Sequence, residues 1–378
     1  MRQVFWKIIP VREIIRKTRK LKRDLLIGDG LIDLLINGVH AASLEEEFSF
    51  NEPSSMQPFA PHYKNHILPH VKKFDGDRIN ALQIFRKRSI KAISVLIIYL
   101  IIFVLMKDIF RDPVYLMFWF TGITSMLVAI LGAWAYEHIV KYKSNIKEII
   151  FPKIFQFFGD DYQYNKNSTL TIEPLESSSI IPSHNQRYFE DYVKGSYNDV
   201  QLEFVEALLQ THSSGGMEDT SHTVTEFDGI FIILSMNKKF IGKTIVLQDS
   251  GKIINKPSIV KGLENAKLED PVFEKKFEVY SSDQVEARYL LTTSFMERLL
   301  DLEKMFYSKR SKYTIKNLQC SFYDNKLLLM IPSTIDRFEV TSPLKPATFV
   351  SETNTILKEM EVIFQIIDVL KLGQKTGL

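Results

Sequence analysis

The run Tyr280-Ser-Ser-Asp283-Gln-Val-Glu286-Ala-Arg288-Tyr289 gathers two carboxylates, a guanidinium and two phenols within ten residues. Carboxylates in unlike surroundings can divide the acid and base roles of a reaction, and an arginine beside them can hold an anion. Asp283, Glu286, Arg288 and Tyr289 are therefore the candidate functional cluster. A structural use competes with a catalytic one. No histidine-activated nucleophile stands near in sequence, and an ion pair of Asp283 or Glu286 with Arg288 would pin the approach to the next helix. His62, His66 and His70 recur every four residues, a spacing that lines imidazoles along one helix face and suits zinc. Pro69 interrupts that helix, and no carboxylate or thiolate falls in register, so the three remain weak metal candidates.

Three further motifs lack what their chemistry needs. Gly242-Lys243-Thr244 resembles the end of a phosphate-binding loop, but Asn237 stands where its first glycine belongs and a strand follows instead of a helix. Gly28-x-Gly30 lacks the third glycine of a dinucleotide fingerprint. Cys320 lies in an expected strand, where a lone cysteine acts as a small core residue, and it excludes an intramolecular disulfide or a thiolate cage. Neither a serine-hydrolase elbow nor a His-Glu-x-x-His motif is present. No catalytic residue and no cofactor is assigned.

The elements that must position these residues hang from one apolar stretch, residues 90–136. Ala92 to Met106 is uncharged for 15 residues, and Pro113 to Tyr136 carries no charge at all. A bilayer core takes about 20 apolar helical residues, so the second run spans outright; the first spans if Lys91 and Lys107 reach outward along their stems. The break at 107–112 allows little more than a turn, which makes the pair an antiparallel hairpin. Seven Lys/Arg flank its outer ends (Arg86, Lys87, Arg88, Lys91, Lys141, Lys143, Lys147) against Lys107 and Arg111 in its loop, so both termini are expected in the cytoplasm. The alternative is a buried hairpin in a soluble core, which rarely stays uncharged on every face for so long.

Residues 1–91 hold 17 Lys/Arg against 10 Asp/Glu, so the basic excess lies beside the hairpin and the remainder is net acidic. That distribution favours anionic headgroups over nucleic acid. Residues 1–42 form a basic N-terminal segment in which Arg16, Lys20 and Arg23 would face headgroups from an amphipathic helix, with a solvated charged helix as the alternative. Lysines and arginines interrupt any secretory signal there. A linker over 43–61 and a juxtamembrane helix over 62–89 lead into the spans (about 90–107 and 113–136).

Residues 137–378 are expected to fold as a cytosolic α+β domain. A helix continues to Phe158, and Tyr162 to Gly216 reads as largely irregular, with short strands at Tyr192 to Lys194 and Val200 to Leu208. Strands are expected at Gly229 to Met236, Lys243 to Leu247, Leu318 to Phe322 and Leu327 to Ile331, the last two joined by a tight turn at Asp324-Asn325. Ser294 with Glu297 reads as a capping box, and Ser351 to Leu372 as an amphipathic helix ended by Gly373. Strands and helices in blocks, rather than strict alternation, imply α+β.

Phe227-Asp-Gly-Ile-Phe231, Asn237 to Leu247, Leu268 to Glu274, Phe277 to Thr292, Met296 to Leu300 and Phe322 to Leu327 together resemble an uncharacterised bacterial family, domain of unknown function 3137. The likeness spans Phe227 to Ile331 and extends to the paired spans, but not to about the first 50 residues. It implies a domain attached to the bacterial inner membrane, with no established activity and with small LemA-type membrane proteins as possible neighbours. It carries no catalytic residues.

Overall fold

The computed structural model describes residues 34–36, 38, 48–54, 56–106, 113–168, 170–213, 222–236, 239–248, 261–306, 318–333, 338–340, 342–370 and 372. Arg16, Lys20, Arg23, the 107–112 turn and Gly373 lie outside them. The chain divides into two compact units. One comprises Met1–Asn51, Pro58–Ile150 and Val340–Asn354; the other Glu52–Gln57, Phe151–Glu339 and Thr355–Leu378.

The first unit is helical. After α1 (Ala60–His66), two long helices follow, α2 (Leu68–Met106, 39 residues) and α3 (Pro113–Phe155, 43 residues). Each apolar run is thus one part of a helix that continues beyond it, with no break at Tyr136. Ring contacts pair Phe85 with Tyr136, Tyr99 with Phe120 and Phe103 with Phe120. Rising numbers meet falling ones, so the helices run antiparallel as expected. Only 6% and 0% of their most apolar windows is buried within the protein. A soluble core helix would be mostly covered, so composition and exposure both favour lipid as the solvent. The hydroxyls inside the runs are satisfied locally: Ser94 donates to Ile90 O (3.0 Å), Thr124 to Phe120 O (2.6 Å) and Ser125 to Gly122 O (2.8 Å). Such back-bonding gives these three hydroxyl donors acceptors within their own helix.

At the end of the runs where α2 enters and α3 leaves them, Arg88 donates to Trp134 O (2.6 Å) and to Glu137 Oε2 (2.9 Å), with its guanidinium 4.8 Å from the Trp134 ring centre. Below it, α1, α2 and α3 grip the segment that leads into α8 (Val350–Leu370). Buried Asp75 accepts from Arg78 Nε (2.7 Å) and from the Ala347 amide (3.1 Å), while Arg78 Nη1 donates to Pro343 O (3.2 Å). Tyr63 Oη donates to Thr348 O (2.8 Å), and Lys143 Nζ to Val340 O (3.2 Å). The helices hold this segment's backbone at several points, and Phe74 also packs edge-on against the Phe349 ring at 5.4 Å.

The second unit is built on one antiparallel sheet of nine strands: β1 (Gln163–Asn167), β2 (Gln186–Tyr197), β3 (Val200–Ser213), β4 (His222–Ser235), β5 (Thr244–Gln248), β6 (Glu264–Asn265), β7 (Phe277–Ser281), β8 (Gln319–Tyr323) and β9 (Lys326–Pro332). The strand order is β1-β2-β3-β4-β9-β8-β5-β7-β6. Helices α4 (Glu173–Glu176), α5 (Pro271–Glu274), α6 (Gln284–Leu290) and α7 (Thr293–Phe306) lie between strands in sequence. This is the expected α+β class.

The central strands are covered on both faces, which explains their continuous apolar runs. On one face Leu209, Phe227, Phe231 and Met330 form a core cluster with Ile172 and Leu175; on the other, Phe204 stacks with Phe338 at 5.4 Å and meets Phe155 at 6.4 Å. Gly229 lies so close to β9 that a Cβ there would fall 2.2 Å from Ile331 O. Asp324 (φ +48°) and Asn325 (φ +55°) make the expected tight turn between β8 and β9.

Two expectations are corrected. The stretch read as largely irregular contains β1, β2 and β3. Its alternation is hidden because β2 lies near a sheet edge with polar residues on its outer face, and a bulge between Glu190 and Val193 shifts its register. The cap of α7 is Thr292, not Ser294: Thr292 Oγ1 accepts from Phe295 N (3.3 Å), and the helix begins one residue earlier than the proposed box.

Candidate functional site

Residues 281–283 turn the chain out of β7 into α6. Ser281 Oγ donates to Asp283 O (2.8 Å), and Asp283 then caps α6, its Oδ1 accepting from Val285 N (2.8 Å) and Glu286 N (3.0 Å). A carboxylate at this position satisfies amides that have no partner within the helix. Glu286, one turn in, reaches across to the segment before β5. Its Oε1 accepts from Ile241 N (2.7 Å) and its Oε2 from Gly242 N (2.6 Å). Ser282 Oγ takes the next amide, Lys243 N (2.8 Å), and Asn325 Oδ1 takes the preceding one, Phe240 N (3.1 Å).

Four consecutive backbone donors, 240 to 243, are thus held by side chains from three places in the sequence. The glycine of the phosphate-loop lookalike is required here for a different reason: a Cβ at Gly242 would sit 2.4 Å from Glu286 Oε2 and 2.8 Å from Ser282 Oγ. Its amide faces a carboxylate belonging to the protein itself. Lys243 Nζ turns to Ser179 Oγ (2.7 Å).

The ion pair expected from sequence does not form. Arg288 is exposed, and its Nη1 donates to Gln284 O (3.0 Å), while Asp283 and Glu286 are engaged by amides. Tyr289 is 39% exposed. The structure therefore brings Asp283 and Glu286 together around one loop and leaves Arg288 and Tyr289 on the outer surface of α6. Sequence reasoning missed Ser281, Ser282 and Asn325. The available signal was Ser-Ser-Asp directly before a helix, an arrangement whose hydroxyls bind neighbouring backbone.

Elsewhere, His62 and His66 stack at 4.5 Å on α1, which ends at His66, and His70 lies in the first turn of α2 with its amide on Ile67 O. Among the described residues no three His, Cys, Asp or Glu are grouped to hold a metal. Cys320 is fully buried in β8, and burial pushes its thiol well above the usual range, opposite to what a nucleophile needs. A buried pair unforeseen from sequence is Tyr164 with Asp191: Tyr164 Oη donates to Asp191 Oδ1 at 2.5 Å beside the β2 bulge. Burial, and then the Asp191 charge, drive the Tyr164 phenol far up.

Fold and site together define a chain with two membrane-length apolar helices and an α+β domain whose acidic cluster binds its own backbone. Residues 225–372 match the family model described as Protein of unknown function (DUF3137), so the likeness runs from β4 through α8. No curated protein matches the chain. Among solved structures, the mycobacterial trehalose monomycolate transport factor A, TtfA, is similar at 11% identity with a TM-score of 0.29, covering 55% of this chain and 88% of that one. A likeness that slight carries neither fold nor activity across.

Proposed function

We propose that the protein is a membrane-anchored interaction module of a bacterial inner membrane, held by residues 90–136 with both termini in the cytoplasm, and that it acts by binding another membrane-associated protein. The observation that carries this reading is the near-complete exposure of the most apolar stretch of each of the two long helices. The orientation rests on the excess of Lys and Arg at their outer ends. A binding role, not a catalytic one, is favoured because both oxygens of Glu286 and Oδ1 of Asp283 already accept backbone amides. The resemblance points to a LemA-type membrane protein as one class of partner.

Purification of the tagged full chain in mild detergent should recover the same partner repeatedly. A chain that purifies alone and turns over a lipid or small anionic molecule, with activity lost in folded Asp283, Glu286 or Arg288 variants, would establish the enzymatic alternative instead.

A further inference from the structure

Where α2 enters its apolar run and α3 leaves its own, one flank of the helix pair gathers Lys87, Arg88 and Lys91 with Trp134, Glu137 and Lys141. Contact and helical spacing both place them together. Arg88 reaches Trp134 O and Glu137 Oε2 across the helices, Lys91 lies one turn from both Lys87 and Arg88, and Lys141 donates to Glu137 Oε1 (2.6 Å) from one turn on. Glu137 thus uses both oxygens to hold two cations on this flank. The hydrogen bonds of Arg88 all use Nη1, which leaves Nε and Nη2 unengaged among the described residues on a side chain that is 21% exposed. Lys87 and Lys91 are exposed and have no ion-pair partner among the described residues. Four cations here meet one carboxylate, and the next carboxylates along the two helices, Asp77 and Glu148, stand about three turns before Arg88 and about two turns after Lys141.

We infer that this flank is a binding site for one anionic phospholipid, whose headgroup phosphate takes the free donors of Lys87, Arg88 and Lys91. Charge sets the class of ligand, since four cations against one carboxylate leave the group at +3. Height sets its origin. Lys91 borders the first uncharged stretch and Trp134, 40% exposed, lies in the last turn of the second, so a ligand held between them sits in the headgroup layer. Tryptophan settles at that boundary, and lysines reach it along their stems. Basic pockets between spanning helices bind anionic headgroups in this layer. An acidic protein loop would have to enter the same layer to reach the site. The inference rests on the anchoring proposed above and deepens it, from a general attraction of a basic end to one lipid held at one place.

The test gives the full chain in mild detergent either phosphatidylglycerol or phosphatidylcholine and counts bound lipids by native mass spectrometry. One phosphatidylglycerol should stay bound at collision energies that strip phosphatidylcholine. Lys87→Gln combined with Lys91→Gln should lower its retention about tenfold, and neither lysine holds an ion pair whose loss would disturb the helix. Lys72→Gln with Lys73→Gln removes the same charge from exposed lysines of α2 roughly 24 Å from Arg88 and should change little. Equal retention of the two lipids overturns the inference. An equal loss from the two pairs of substitutions also overturns it, as diffuse attraction. Release of the lipid by millimolar inorganic phosphate overturns it too, because the site then takes any phosphate and not a lipid. So does an acidic protein that copurifies in the lipid's place and is lost with Lys87→Gln and Lys91→Gln. Each of these results leaves the anchoring intact, whereas a chain that stays in solution without detergent overturns the anchoring first, and this inference with it.

Discussion

Glu286 accepts two amides from a segment 44 and 45 residues away in sequence, so its removal leaves both donors without a partner. Hydrogen bonds to a charged group contribute roughly 1.5–3 kcal/mol each in favourable settings, and solvent exposure lowers that figure here. Glu286→Ala should therefore destabilise the second unit by about 1–3 kcal/mol, measured as a lower urea midpoint in mild detergent; an unchanged midpoint would show that the loop is held by Ser282 and Asn325 alone. The phenols offer a second residue-level test. Burial raises Tyr164 strongly, and burial with Asp324 pushes Tyr323 up to about 12. A raised phenol stabilises the fold fully below the unfolded value of about 10, and that contribution is lost as pH rises through the folded value. Phenolate absorbance in the native protein should lag behind that of the unfolded chain above pH ~10, and alkaline unfolding should release the missing absorbance in one step.

At the scale of elements, the buried pair Asp75 and Arg78 joins α2 to the backbone of residues 343–347. Breaking such a pair from one side leaves a charge without compensation, at a cost of roughly 3–5 kcal/mol, whereas replacing both partners by apolar groups is often near neutral. Asp75→Ala should be strongly destabilising, and Asp75→Leu combined with Arg78→Met should recover most of the loss; thermal melts of the full chain in one detergent provide the comparison. Thr292 belongs to the same scale. Thr292→Ala should cost α7 about 1 kcal/mol, whereas Ser294→Ala should cost little, because Thr292 and not Ser294 provides the cap.

For the whole molecule, the two long helices set the experiment. A reporter fused after Leu378 should be active only in the cytosol, and one inserted near Asp108 only outside. The full chain should sediment with membranes and leave them only with detergent. Recovery as a compact monomer from a detergent-free supernatant would show that another protein surface, not lipid, covers the apolar runs.

The apolar runs, the strands β3, β4, β5, β8 and β9, the Asp324-Asn325 turn and the last helix were legible in the chain because each depends on local spacing: length without charge, β-branched runs, a residue pair tolerant of positive φ. The same locality hid β1 and all of β2 but Tyr192 to Lys194, since a polar edge strand and a bulged neighbour show little periodic apolar signal. It also misassigned the partners of Asp283, Glu286 and Arg288. Composition supplied the charges, but whether a carboxylate meets an arginine or a distant amide depends on where β5 lies against α6. Only tertiary structure decides that, because strand order and loop approach are fixed by contacts between residues far apart in sequence, which no local pattern records.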